Sequence, residues 1–195
     1  MKKLITFLFL FFYGYAIIRY HIGKELYGLM EFYFVFNKAF AWTAGTLLLL
    51  SVLPTNFLDK YKISRRGIGT FGYSIALIHI TSSILLLSEK FYPKFYTNAS
   101  LNTDGWLYIS LGICSILLFT IPLIASKLNL PNGHFLYQFG RYGILLNLSH
   151  VFAIGFKGWL KFKDWPFFMP PITLLFFVSG LVILVFRYLV IKNKN

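Results

Sequence analysis

Carboxylates and cysteines are scarce in this chain. Its 195 residues hold 6 Asp and Glu against 19 Lys and Arg, and a single cysteine, Cys114. One thiol excludes an intrachain disulfide and leaves no thiolate cluster for zinc or iron–sulfur. Cys114 lies inside an apolar run, where it reads as a small buried filler. The carboxylates Glu25, Glu31, Asp59, Glu89, Asp104 and Asp164 all fall in loops or near the ends of apolar runs. That leaves no proton-transfer carboxylate inside a span, which argues against proton pumping. It also leaves no mid-membrane charge to couple an ion, which argues against a small transporter.

Charge as a whole is sparse: 13% of residues are charged and 57% hydrophobic, with a mean hydropathy of +0.67. That is too little charge to coat a soluble globule and too much apolar sequence to hide in one core. The bilayer is the expected solvent. The net charge of +13 does not point to nucleic acid, because the cations sit in short segments between apolar runs, where positive charge sets membrane orientation.

Apolar segments run over about 4–18, 34–53, 68–87, 106–126, 138–156 and 172–191. A helix needs roughly 20 apolar residues to cross a bilayer, so the expected fold is all-α: a six-transmembrane-helix bundle forming one integral membrane domain over 1–195. No soluble flavin or nucleotide domain fits beside it. The Met1-Lys2-Lys3 start imitates a signal peptide, but Tyr15-Ala16-Ile17-Ile18-Arg19 offers no small-x-small cleavage site, so the first segment reads as retained. Breakers stand where loops are expected, at Pro54, Pro131-Asn132-Gly133 and Pro170-Pro171. The longest loop, 88–105, is polar and aromatic, and the Phe and Tyr excess reads as lipid-facing filler.

With the N-terminus inside, eleven cations fall on the cytoplasmic side, densest at Lys60, Lys62, Arg65 and Arg66, against eight on the other. The bias favours cytoplasmic termini, and the opposite orientation stays open.

His79 and His150 fall well inside apolar spans, where an ionisable group is by default a functional hypothesis. At about 1.5 Å of rise per residue, His79 lies roughly 20 Å beyond Arg66, and His150 roughly 20 Å beyond Tyr137. Spans three and five run in the same direction, so both imidazoles are expected at similar depth, in the half of the membrane away from the arginine pair. Gly72 and Gly143 each precede a histidine by seven residues, nearly two turns, and share its face. Ala76, Ser82, Ser83 and Asn147 continue that face. A side-chain-free patch below each imidazole suits the edge of a flat macrocycle, and two imidazoles on facing helices are a common axial pair for haem iron. The bland alternative is two histidines that hydrogen-bond across helices, with glycines that permit close packing. His21, beside Arg19 and Lys24 in a polar loop, and His134, after Pro131-Asn132-Gly133, read as solvated or interfacial.

The stretch Ser64-Arg65-Arg66-Gly67-Ile68-Gly69-Thr70-Phe71-Gly72-Tyr73-Ser74-Ile75-Ala76-Leu77-Ile78-His79 resembles the ferric-reductase-like transmembrane family, especially the haem-binding membrane subunit of the bacterial methionine sulfoxide reductase system. That family has Arg-Arg, a glycine ten residues before a histidine, and an apolar-aromatic stretch between; Arg66, Gly69 and His79 keep this spacing. Tyr142 followed by His150 resembles the later Tyr-to-His stretch, one residue shorter, and the six-span layout agrees over most of the chain.

The resemblance implies a haem-b electron carrier in the bacterial inner membrane, with His79 and His150 as metal ligands. Arg65 and Arg66 would stand at the level of a propionate or phosphate, or serve only as topology anchors. Family members commonly carry a further histidine about thirteen residues before the last one. Here that position is Tyr137, so one haem per chain is expected, not two. The reading is a redox subunit, an oxidoreductase component if haem is bound. It would take electrons from quinol or a flavin partner and pass them to an extracytoplasmic or partner acceptor. No residue of the chain is assigned as catalytic. The alternative is a haem-free structural or assembly subunit that keeps the fold.

Overall fold

A backbone inside hydrocarbon must satisfy its own N–H and C=O groups, and the helix does so within one segment. A computed structural model of the chain follows that rule. It describes residues 1–23, 25, 28–54, 57–58, 61–131 and 134–192, the last two by backbone alone. Six long helices are present among them: α1 (Lys2–Ala16), α2 (Leu29–Ser51), α3 (Arg65–Leu85), α4 (Thr103–Lys127), α5 (Phe139–Trp159) and α6 (Ile172–Lys192). Five stretches are long and apolar enough to cross a membrane: Lys2–Ile22, Leu29–Ser51, Arg65–Leu85, Thr103–Lys127 and Pro166–Val190. The chain is all-α and has the character of an integral membrane protein. The helix outside those five is α5, whose Arg141, Asn147 and His150 dilute its apolar content.

Helix ends are set by local chemistry. The Ser64 hydroxyl accepts from the Gly67 N–H at 3.1 Å and starts α3, and Asn102 Oδ1 accepts from Gly105 N–H at 2.7 Å and starts α4. Both caps satisfy an amide that has no partner in the first turn. Two boundaries differ most from the sequence reading. Helix α2 begins five residues before the expected 34, because Leu29 to Tyr33 continue the helix up to Gly28, a glycine at φ 126°. The first helix does not stop at 18 but continues as a π-helical turn, Ile17–Ile22. Arg19 and His21 therefore lie on helix and not in a polar loop. Arg19 is 3% exposed, its guanidinium donating to the Met169 carbonyl.

Helices α2, α3, α4, α5 and α6 pack successively and close as a ring, α6 returning onto α2, with α1 outside against α2. Glycines allow the close approaches. A methyl group at Gly72 would lie 3.0 Å from Leu47 Cβ and 3.1 Å from the Leu48 backbone nitrogen, so α3 rides directly on α2. Gly180 takes Leu148 in the same way at the α5–α6 contact, where a methyl would fall 2.5 Å from Leu148 Cδ2. Polar crosslinks add to this: Ser115 Oγ donates to the Gly143 carbonyl at 3.0 Å, and Tyr73 OH pairs with Thr120 Oγ1 at 2.8 Å.

The aromatic excess is not all lipid-facing. Phe9 and Tyr13 of α1 interlock with Phe36 of α2, at ring separations of 5.2 and 5.1 Å. Cys114, expected as buried filler, is exposed on α4.

The segment between α3 and α4 folds over one end of the bundle. It holds a 3₁₀ turn, Pro93–Phe95, and a minimal hairpin in which Tyr96 pairs with Leu101 and Thr97 with Ser100. The two turn residues, Asn98 and Ala99, both take positive φ (51° and 62°), as a type I′ hairpin turn requires. Phe95 packs edge-on against Tyr108 of α4 at 5.1 Å.

Candidate functional site

His79 sits two turns from the C-terminal end of α3 and His150 in the middle of α5, helices that are not neighbours in the ring. Both lie in the half of the bundle covered by the α3–α4 segment, away from Arg65 and Arg66 at the start of α3.

Each ring is held by its Nδ1. His150 Nδ1 lies 2.7 Å from the Tyr108 backbone carbonyl, and His79 Nδ1 lies 2.8 Å from Asn37 Oδ1. A carbonyl oxygen only accepts, so Nδ1 carries the proton in both rings and the lone pair stands on Nε2. The Asn37 amide is itself oriented, its Nδ2 donating to Ser83 Oγ at 3.0 Å. Asn37 is 1% exposed in the middle of the α2–α3 contact. Tyr92 closes this network from the loop: burial pushes its hydroxyl above the usual tyrosine range, an effect that hydrogen bonds from Ser83 and Asn37 partly offset. Lys38 lies over the Phe34 ring at 4.3 Å and the Tyr92 ring at 5.2 Å, above the same end.

The flanking glycines stand differently from their expected role as open patches. Gly72 meets Leu47 and Leu48 of α2, and Gly143 lies against the Phe119 ring, where a methyl would fall 3.1 Å from Cδ1. The glycine that accommodates an imidazole is Gly112 on α4, where a Cβ would stand 3.1 Å from His150 Cε1. Sequence reasoning did not single out Gly112, Asn37 or Tyr108. A lone amide in an apolar run was a readable signal for Asn37. The Tyr108 contribution is a backbone carbonyl, which no residue type announces.

Arg65 and Arg66 line a separate cavity of about 820 Å³ at the opposite end, with Arg141, Arg187, His134 and Tyr137. Arg65 Nε donates to the Ser51 carbonyl at 2.6 Å, and Arg66 reaches Asn129 Oδ1 at 3.3 Å and Tyr137 OH at 3.2 Å. Tyr137 in turn donates to the Leu130 carbonyl at 3.2 Å. His134 is half-buried, its Nδ1 accepting from the Leu136 N–H at 3.3 Å to cap the 3₁₀ turn Phe135–Gln138.

No protein-family model matches the chain.

Proposed function

We propose that this chain is a membrane electron-transfer protein that holds one b-type haem between His79 and His150. The observation that supports it is the shared tautomer: two intramembrane imidazoles, from the helices that flank α4, each with Nδ1–H tied to an oxygen and Nε2 carrying a lone pair. Metal-binding histidines are typically held through the other ring nitrogen in this manner, which fixes ring orientation and raises ligand basicity. Among the described residues no three of His, Cys, Asp and Glu converge, and two ligands suit a macrocycle that brings four equatorial nitrogens of its own.

When bound, haem supplies one-electron cycling between ferric and ferrous iron. The chain's own residues orient the two rings through Asn37 and Tyr108, keep water out with the α3–α4 segment, and set a low dielectric. In this reading the six helices all span, α5 included, in a bacterial inner membrane with both termini cytoplasmic and the arginine end inward. Electrons come from quinol or a flavin partner and leave to an extracytoplasmic or partner acceptor.

The packed notches at Gly72 and Gly143 favour a second reading, a haem-free structural or assembly subunit in which the histidines serve as cross-helix struts. A Soret band in the purified protein, lost in His79→Ala and His150→Ala, supports the redox reading. A colourless, folded protein supports the structural one.

A further inference from the structure

We propose that the arginine-lined cavity at the end away from the histidines binds the phosphate group of an anionic amphiphile. This goes beyond the haem reading and uses none of its ligands.

Charge comes first. Arg65, Arg66, Arg141 and Arg187 reach one cavity from α3, α5 and α6, and no carboxylate lines it among the described residues. The two ion pairs that the structure shows, Glu31–Lys90 and Asp104–Lys157, lie at the other end of the bundle. Arg141 is within like-charge range of both Arg65 and Arg187, which also repel each other. Guanidiniums gathered together with no counter-charge among the described residues raise one another's energy, and a bound anion relieves that.

Hydrogen bonding narrows the ligand. The Arg187 guanidinium donates one NH group to the Val52 carbonyl, but its Nε is buried with no hydrogen-bond partner among the described residues. Arg141 makes no hydrogen bond among them. A buried donor without a partner costs free energy, and a guanidinium fork matches the spacing of phosphate oxygens. The Tyr137 hydroxyl and the His134 ring add further polar edges to the same wall.

The shape of the cavity decides between a bare ion and something longer. About 820 Å³ is the size of a pocket for a drug-sized molecule and far exceeds what inorganic phosphate needs. Behind the arginines, Leu48, Phe119, Pro122 and Leu123 make an apolar wall that runs inward along α2 and α4. Cations at the membrane edge and hydrocarbon behind them fit a phosphate head carrying an apolar tail.

The test uses the full chain in an uncharged detergent and isothermal titration with three probes: dihexanoyl phosphatidic acid, inorganic phosphate and dihexanoylglycerol. The expected result is saturable binding of phosphatidic acid at one per chain, with phosphate at least about tenfold weaker and the neutral diacylglycerol inert. Arg141→Gln and Arg187→Gln should each weaken binding by roughly tenfold, the size of one charge-assisted hydrogen bond. Arg141→Lys should recover only part of the loss, because it restores the charge but not the guanidinium fork. Phosphate binding as tightly as the amphiphile would overturn the amphiphile assignment and leave a free anion as the occupant. Equal binding of the diacylglycerol would overturn the proposal. So would unchanged binding in Arg141→Gln with wild-type helicity by circular dichroism, and this variant decides if Arg187→Gln does not fold. A second haem per chain, counted on the same samples, would also overturn it by assigning the cavity to a macrocycle. Binding that persists in His79→Ala separates this site from the fate of the haem reading.

Discussion

Asn37 is the residue on which the His79 ring depends most. Its amide accepts from Nδ1–H on one side and donates to Ser83 on the other, so Asn37→Leu removes the acceptor while keeping the volume. The Nδ1–H of His79 then keeps only the long contact to Ser83 Oγ at 3.4 Å, at a cost of about 1 kcal/mol of lost hydrogen bonding, and the ring is held less firmly. Haem affinity is expected to fall roughly 10- to 100-fold, as for the loss of other outer-shell partners of a metal ligand. Titration of the apoprotein with haemin measures it, and wild-type affinity in the variant would show that the Asn37 bond does not orient the ligand. His79 and His150 were legible in the sequence because an ionisable group in an apolar run is costly and stands out. Asn37, Gly112 and the Tyr108 carbonyl were not, since they meet the rings through contacts whose partners lie about forty residues apart in the chain.

Helix contacts make a contrast between glycines that looks arbitrary in sequence. Gly72 is pressed against the α2 backbone, whereas at Gly14 on α1 a Cβ would meet nothing within 4 Å. Gly72→Leu should therefore destabilise the bundle by about 1–3 kcal/mol through overpacking. Gly14→Leu should be neutral or slightly stabilising, because it replaces a poor helix former. Thermal unfolding followed by circular dichroism in detergent compares them, and equal midpoints would refute the close α2–α3 approach. Helix positions themselves were readable from apolar runs and from the prolines at 54, 131 and 170–171. The ends were less so: the helix at 17–22 runs through Arg19 and His21, since a buried carbonyl of Met169 receives the guanidinium, and that partner is 150 residues away in sequence.

Across the whole molecule the charges separate by end. Glu31, Lys90, Asp104 and Lys157 form ion pairs at the histidine end, while the arginine end carries Arg65, Arg66, Arg141 and Arg187 with no described carboxylate; Asp59 lies outside the described residues. Uncompensated Lys and Arg near span ends are retained on the cytoplasmic side. Reporter fusions after Lys127 should accordingly report a cytoplasmic position, and fusions within 96–101 an external one. The reverse pattern would invert the orientation proposed for electron flow. The sequence carried this bias only as eleven cations against eight. Gathering the arginines into one cavity takes the fold, because Arg65 and Arg66 of α3 meet Arg141 of α5 and Arg187 of α6 there.

Haem content is the direct measure of the proposed function. Purified full-length protein, assayed by pyridine haemochromogen and by its reduced-minus-oxidised spectrum, should hold one b-type haem per chain. His79→Ala and His150→Ala should each abolish the spectrum, and Tyr137→Phe should leave it intact. A folded protein without haem, or a spectrum that survives both histidine substitutions, would contradict the assignment.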